Sequence, residues 1–395
     1  MKTKWFWSLL LAMPLAISLA GCGSKEESKS ESDSDKDKKG GSVALVLPTA
    51  EKPIDQSYIT DEFVGAVVVH PSRVLNSDYV KELIAVADQP GSPLAGKITS
   101  FFDVATKETG LDIHKIEEVI LLLDEKGLEP KNFTGTGKFD PKTGKNVTVS
   151  KPKAVPAFIV RYGGTLDEQD LLKRIREKEK GDPEKKSHGG KTYYAVGVLA
   201  FALPDDKTLV AGDEETLKKM LTAGKTSSPL SKRLATLGAE HDIVVAFAGE
   251  KFEQKVAQSA GMTPDPEAQK YAEHLKNAKS IAITINISTS PLMTVVLGMS
   301  DDQSAGEFGD ILKGEALPQL KKQYEQNKDG LKKISKEAST LADELVESLA
   351  VGSKGNDVIL VVGRPSAMDR LPQVLQEALK NLAPGGPDIP GGPRE

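Results

Sequence analysis

Two stretches of this chain close in the same way, and that recurrence limits the fold more than any other feature. The first runs Val198-Leu199-Ala200-Phe201-Ala202-Leu203, breaks at Pro204-Asp205-Asp206 and resumes as Thr208-Leu209-Val210-Ala211-Gly212 before a helical stretch, Glu214 to Leu221. The second runs Leu349-Ala350-Val351, breaks at Ser353-Lys354-Gly355-Asn356 and resumes as Val358-Ile359-Leu360-Val361-Val362-Gly363 before a helical stretch, Ala367 to Leu382. In both, apolar β-formers flank turn-formers, and a glycine ends the last strand. So short a turn returns the chain antiparallel, because a parallel neighbour needs a crossover of about a dozen residues or more.

The elements ahead of each closing section also share an order. The first half opens with a strand at Phe63–Val69, followed by helical stretches near Val80–Val86 and Ile98–Thr106. Strands at Val119–Leu123 and Ala157–Tyr162 and a helix at Asp167–Lys178 complete it. The second half opens at Ile243–Phe247, with helices near Phe252–Ser259 and Glu267–Lys276, strands at Ile281–Ile287 and Met293–Leu297, and a helical region from Ala305 to Leu349. Element types agree, whereas residue identities mostly do not. The expected class is α+β: two related units of mostly antiparallel sheet, each with helices packed on one face. A doubly wound parallel sheet fits less well, since tight turns join several strand pairs.

The ends of the chain read differently. Met1-Lys2-Thr3-Lys4 is positive, and the apolar run from Trp5 to Leu19 is shorter than the roughly 20 residues a membrane span requires. It finishes in Leu19-Ala20-Gly21-Cys22. This resembles the lipobox of bacterial lipoproteins, over residues 1–23. The resemblance implies a diacylglyceryl group on the Cys22 thiol, cleavage before Cys22, and a body tethered to the cell membrane or outer membrane, outside the cytoplasm. Cys22 is the single cysteine, so the chain can form neither an internal disulfide nor a cysteine-based metal site. One acyl chain binds marginally, and the two or three that the family implies anchor stably.

The expected division is then a signal peptide at 1–21, a lipidated cysteine with disordered linker at 22–60, α+β units at 61–238 and 239–382, and a Pro/Gly tail at 383–395. The charged, apolar-poor stretch from Gly23 to Gly41 cannot drive burial. As a flexible coil of about 20 residues, it would hold the body roughly 25 Å from the lipid.

Composition narrows the function classes. Of 395 residues, 38% are hydrophobic and 28% charged, enough for real cores. Removing Lys2 and Lys4 with the signal leaves 50 basic against 57 acidic residues, net -7, which argues against nucleic acid as a partner. Both tryptophans, Trp5 and Trp7, depart with the signal, so large aromatic platforms for sugars or tight interfaces are scarce.

The motif-like segments resolve into ordinary structure. Gly190-Lys191-Thr192 lacks the earlier glycine of a phosphate loop, with Lys185 in that place, and a strand follows where a helix should start. Gly224-Lys225-Thr226 fails likewise at Lys219. Ser150-Lys151-Pro152-Lys153 has serine–lysine spacing, but Pro152 opposes the helical turn that chemistry needs. His70, His114, His188, His241 and His274 include no pair at helical metal spacing. The expectation is no catalytic, cofactor or metal site. The lysine-rich segment Lys126–Lys153 reads as a solvated loop with a hairpin tip at Phe139–Gly144, and anionic lipid contact is its sharper alternative.

One helical pattern is more specific. Leu317, Leu320, Tyr324, Asn327, Leu331, Ile334, Ala338, Leu341 and Leu345 alternate steps of three and four, interrupted at Asp329-Gly330. Such a seam at Leu317–Leu345 could receive a protein partner, form a two-helix hairpin, or pack on the protein's own sheet. The functional expectation is a membrane-anchored, non-enzymatic scaffold or binding module. The alternative is a solute-binding lipoprotein with a cleft between the halves, which requires parallel βαβ lobes and a hinge.

Overall fold

The computed structural model describes residues 52–89, 110–125, 156–179, 181–224, 227–261, 266–334 and 336–373, with short pieces between them. The first half contributes β1 (Gly65–Val69), α1 (Pro71–Asn76), α2 (Asp78–Ala87) and β2 (Ile116–Leu123). A small hairpin, β3 (Phe139–Asp140) and β4 (Lys145–Asn146), precedes β5 (Ala157–Tyr162) and α3 (Glu168–Glu179). Then come β6 (Glu184–His188), β7 (Lys191–Val196), β8 (Leu199–Ala202), β9 (Thr208–Gly212), α4 (Glu214–Thr222) and α5 (Pro229–Ala235). The second half contributes β10 (Ile243–Ala248), α6 (Glu250–Gly261), α7 (Pro266–Leu275), β11 (Ala278–Ile285) and β12 (Met293–Met299). It continues with α8 (Asp302–Ile311), a π-helical turn at Leu312–Ala316, α9 (Leu317–Ile334), α10 (Lys336–Glu347), β13 (Leu349–Lys354) and β14 (Asp357–Val362).

Helix starts follow local chemistry. Ser77, Asp213, Ser228 and Asp301 each accept a hydrogen bond from the backbone N–H three residues on, capping α2, α4, α5 and α8. Between β6 and β7, Gly189 and Gly190 hold φ of +56° and +77°. Paired positive φ values make a tight hairpin turn, so Gly190-Lys191-Thr192 belongs to a hairpin and not to a phosphate loop.

The mixed α+β class with antiparallel pairing is as expected. Twelve strands form one sheet in the order β13-β14-β12-β11-β10-β1-β2-β5-β9-β8-β7-β6. Outward from the central pair, one side runs β1, β2, β5, β9, β8 and the other β10, β11, β12, β14, β13, so the strand order repeats by sequence rank. The β1–β10 pair joins the sides in register from Gly65↔Phe247 to Val69↔Ile243.

Helices cover both faces, where the sequence reading set them on one. Along β5 and β9, Ile159 and Val210 pack with Leu217, Met220 and Leu221 of α4 and Leu230 and Leu234 of α5. Their neighbours Val160 and Ala211 point the other way, into a cluster with Leu172 of α3. The physical reason is visible in the runs Val67-Val68-Val69 and Leu121-Leu122-Leu123, which are apolar at every position instead of alternating.

Part of the expected linker is also core. From Lys52 onward the chain straps across the first of these faces, where Ile54 and Ile59 are 2% and 0% exposed. Pro53 bridges Gly238, and the Ala239 N–H donates to the Lys52 carbonyl at 2.7 Å. Burying Ile54, Ile59 and Phe63 stabilises by about 1.5–3 kcal/mol each, which offsets the entropy of ordering a strap that is otherwise polar. The edge strand β6, Glu-Lys-Lys-Ser-His, carries no apolar alternation and so gave no strand signal; its charges suit an open edge.

Candidate functional site

The two faces of the central strands are packed to different degrees. On the face under α4, α5 and the strap, Ala66, Val68, Ile120, Val244, Ala246 and Ala282 are all 0% exposed. On the opposite face, their neighbours are only half-buried. Cross-strand register aligns Leu121, Val67, Val245, Ile283, Val295 and Leu360 in one row over β2, β1, β10, β11, β12 and β14. Ile243, Ile281, Ile285 and Met293 flank that row, also half-buried. These side chains form an aliphatic band across the sheet, and α6 packs on its β10 and β11 strands. Covered clusters bound it on both sides: Val119, Phe158 and Val160 with α3, and Leu297, Met299 and Val358 with α8.

A glycine shapes one end of this face. A Cβ on Gly65 would stand 2.4 Å from the Phe247 ring, so only a residue without one lets that ring lie over β1. Phe247 in turn stacks on Phe252 of α6, with centroids 6.3 Å apart.

A polar cluster closes the strap-covered face at the strand ends. At the ends of β1, β2 and β5, Glu118 is shared between His70 Nε2 at 3.5 Å and Arg161, whose Nε donates at 2.8 Å. Arg161 Nη2 also lies 2.7 Å from the Asp55 carboxylate, tying the strap to the sheet. Burial raises the Asp55 carboxyl, but hydrogen bonds from Ser57 and the Arg161 charge outweigh it and leave it below its ordinary value. Alongside, the His70 N–H donates to the Asp242 carbonyl, and the Ile287 N–H donates to the Asp242 carboxylate at 2.7 Å. His241 Nδ1 lies 3.1 Å from the Asn286 amide oxygen, which can only accept, so the histidine donates. The cluster pins strand ends from both halves of the sheet.

The Leu317–Leu345 seam is folded back on itself. The helix runs through Asp329-Gly330, and α9 and α10 pack against each other. Tyr324 donates to the Asp343 carboxylate at 2.9 Å, and Lys328 reaches the same group at 2.5 Å. Burial and the Asp343 hydrogen bond push the Tyr324 hydroxyl up to about 12. Burial also raises Asp343, but bonds from Lys328 and Tyr324 prevail and lower it. At Tyr324 the seam makes a contact within the two-helix hairpin.

The remaining predicted residues fall as follows. Cys22, the signal, Ser150-Lys151 and the Pro/Gly tail lie outside the described residues, as does most of Lys126–Lys153. Within that segment Phe139↔Asn146 and Asp140↔Lys145 do pair, as the hairpin tip implies. His188 ends β6 and is exposed, and His274 stacks on Phe308 at 5.6 Å. Among the described residues there is no group of three or more His, Cys, Asp and Glu fit to hold a metal, and no helix long and apolar enough to cross a membrane. Sequence reasoning missed the difference between the two faces, because uninterrupted apolar runs do not tell which face is packed more tightly.

No protein-family model matches the chain, and no curated protein sequence does. Three solved structures are similar in layout: crystal forms I, III and IV of TP0453, each at 9% identity. TM-scores are 0.35, 0.36 and 0.35, over 84%, 83% and 82% of this chain and 98%, 99% and 97% of theirs. The superposition is too loose to bear on function.

Proposed function

We propose that this chain is a lipid-anchored envelope protein of bacteria whose body is a non-enzymatic binding module. The observation that carries the anchor is Leu19-Ala20-Gly21-Cys22 at the end of a basic-then-apolar leader. It sets the body outside the cytoplasm, at the inner or outer membrane. Gly23, which follows the cysteine, brings no charge to retain it at the inner one. For the body, the aliphatic band that its own helices leave only half-buried supports a binding role.

The two-lobed solute-binding reading loses its basis. It needs parallel lobes on a hinge, and every strand pair among the described residues is antiparallel, with β1 and β10 joined over five residue pairs. Intact-mass measurement of the purified native chain tests the anchor. The expected product begins at Cys22 and carries diacylglyceryl mass, and Cys22→Ser leaves the membrane fraction. A product that retains Met1, or has a free thiol at residue 22, would overturn it.

A further inference from the structure

We infer that the strap, residues 52–63, is a latch that opens by itself while the sheet stays folded, with Arg161 as its catch. The backbone marks where the latch ends. At Val64 the chain joins the sheet: its N–H donates to the Leu123 carbonyl at 2.9 Å, and its carbonyl accepts from the Ala248 N–H at 3.0 Å. Before that point, three bonds close over short spans within the strap. The Ser57 N–H donates to the Asp55 carboxylate, the Ile59 N–H to the Gln56 carbonyl and the Phe63 N–H to the Thr60 carbonyl. These bonds travel with the strap when it lifts, so opening does not cost them.

Two features work against closure. Tyr58, at φ +72°, is the one non-glycine residue in the left-handed region among the described residues, and a side chain there crowds its own backbone. Two positions on, the Thr60 hydroxyl oxygen is buried without a hydrogen-bond partner, and opening returns it to water. Both sit between the packed side chains of Ile54 and Phe63, which hold the strap down. Strain kept in place by surrounding packing gathers at segments that switch between states.

The catch can release without stranding a charge. Arg161 lies 2.7 Å from Asp55 and 2.8 Å from Glu118. On opening, Arg161 keeps Glu118, while the Asp55 side chain, already 50% exposed, passes to water. Breaking a buried pair is costly when one partner stays buried alone, and here neither does. The second ionic tie, Lys219 with Glu62, is half-exposed at both ends. Lys191, which lies 5.5 Å from the centre of the Tyr58 ring, also donates to the Leu221 carbonyl and keeps that bond.

Opening would lengthen the tether. The strap is the first part of the body after the proposed lipid anchor, and its twelve residues extend to roughly 40 Å. That consequence rests on the anchor at Cys22; the opening itself does not.

Amide hydrogen exchange on the full exported chain, read residue by residue in rising urea, tests the latch. The Ile59 and Phe63 amides are expected to show protection roughly tenfold or more below that of Val68 and Val244. Their urea dependence should also be weaker, because lifting the strap exposes less surface than unfolding the sheet. Asp55→Ala should raise Ile59 and Phe63 exchange roughly fivefold. Thr60→Val, which replaces the unpaired hydroxyl by a methyl group, should lower it by about fivefold or more. Equal protection and equal urea slopes in strap and sheet would overturn the proposal, as would exchange unchanged in Asp55→Ala. Intact mass on the same sample keeps the two readings apart: strap opening on a chain without acylated Cys22 upholds the latch and sinks only the anchor.

Discussion

Arg233 shows how much of this molecule depends on single buried charges. It sits on α5, yet its Nη1 donates to the Asp357 carboxylate at 3.1 Å and its Nη2 to the Val296 carbonyl at 3.0 Å. The side chain therefore ties a helix to β14 and β12, and it is 9% exposed. Removing one partner of such a pair leaves an uncompensated charge out of water, typically costing about 3 kcal/mol or more. Asp357→Asn, which keeps the shape, should lower unfolding free energy in urea by about that amount; a loss under about 0.5 kcal/mol would show the pair to be solvated. Nothing in the sequence announces this contact, because 124 residues separate the partners. The same holds for His70 with Glu118 and for His241 with Asn286. Around His70 the sequence shows only Pro71 after it, and gives no sign of Glu118 across the strand.

The α9–α10 hairpin was legible as one of the uses open to the seam, but its break was expected at Asp329-Gly330 and α9 instead runs to Ile334. The expected interruption was Gly330, whose helix cost is about 1 kcal/mol relative to alanine. Three polar groups across the hairpin, Tyr324, Lys328 and Asp343, counter that cost by holding α9 intact past the glycine. Their chemistry gives a pH signature. The Tyr324 hydroxyl rises from an ordinary 10.0 to about 12 in the folded chain, because burial and Asp343 favour its neutral form. A raised value contributes stability that is complete below pH 10 and lost as pH climbs through 12. Helical circular dichroism followed across that window should fall more steeply for the parent than for Tyr324→Phe; parallel curves would contradict the assignment. At the opposite end of legibility stands β6, a strand with charged residues where alternation would be, recognisable only by its pairing with β7.

At the scale of the whole molecule, the halves behave as one body because their cores are continuous. A single cluster contains Ala66, Ile120 and Val210 from one half and Val244, Ala246 and Ala282 from the other, closed by Leu230 and Leu234 of α5. Opening either half would expose the β1–β10 seam and break that cluster. Thermal unfolding is therefore expected as one transition, with tyrosine absorbance and far-ultraviolet circular dichroism coincident; two separated steps would mean that the halves unfold independently.

The chain's own order of residues determined which segments are strands and helices, that short turns make the sheet antiparallel, and that the two halves share a plan. These follow from local rules: breakers between β-formers, apolar period, capping side chains. Tertiary structure alone decided that the halves fuse through β1 and β10, that helices lie on both faces, and that one central face is packed more tightly than the other. Each of these depends on which apolar surface meets which. A valine in an uninterrupted apolar run carries no mark of whether a helix or another strand will lie against it.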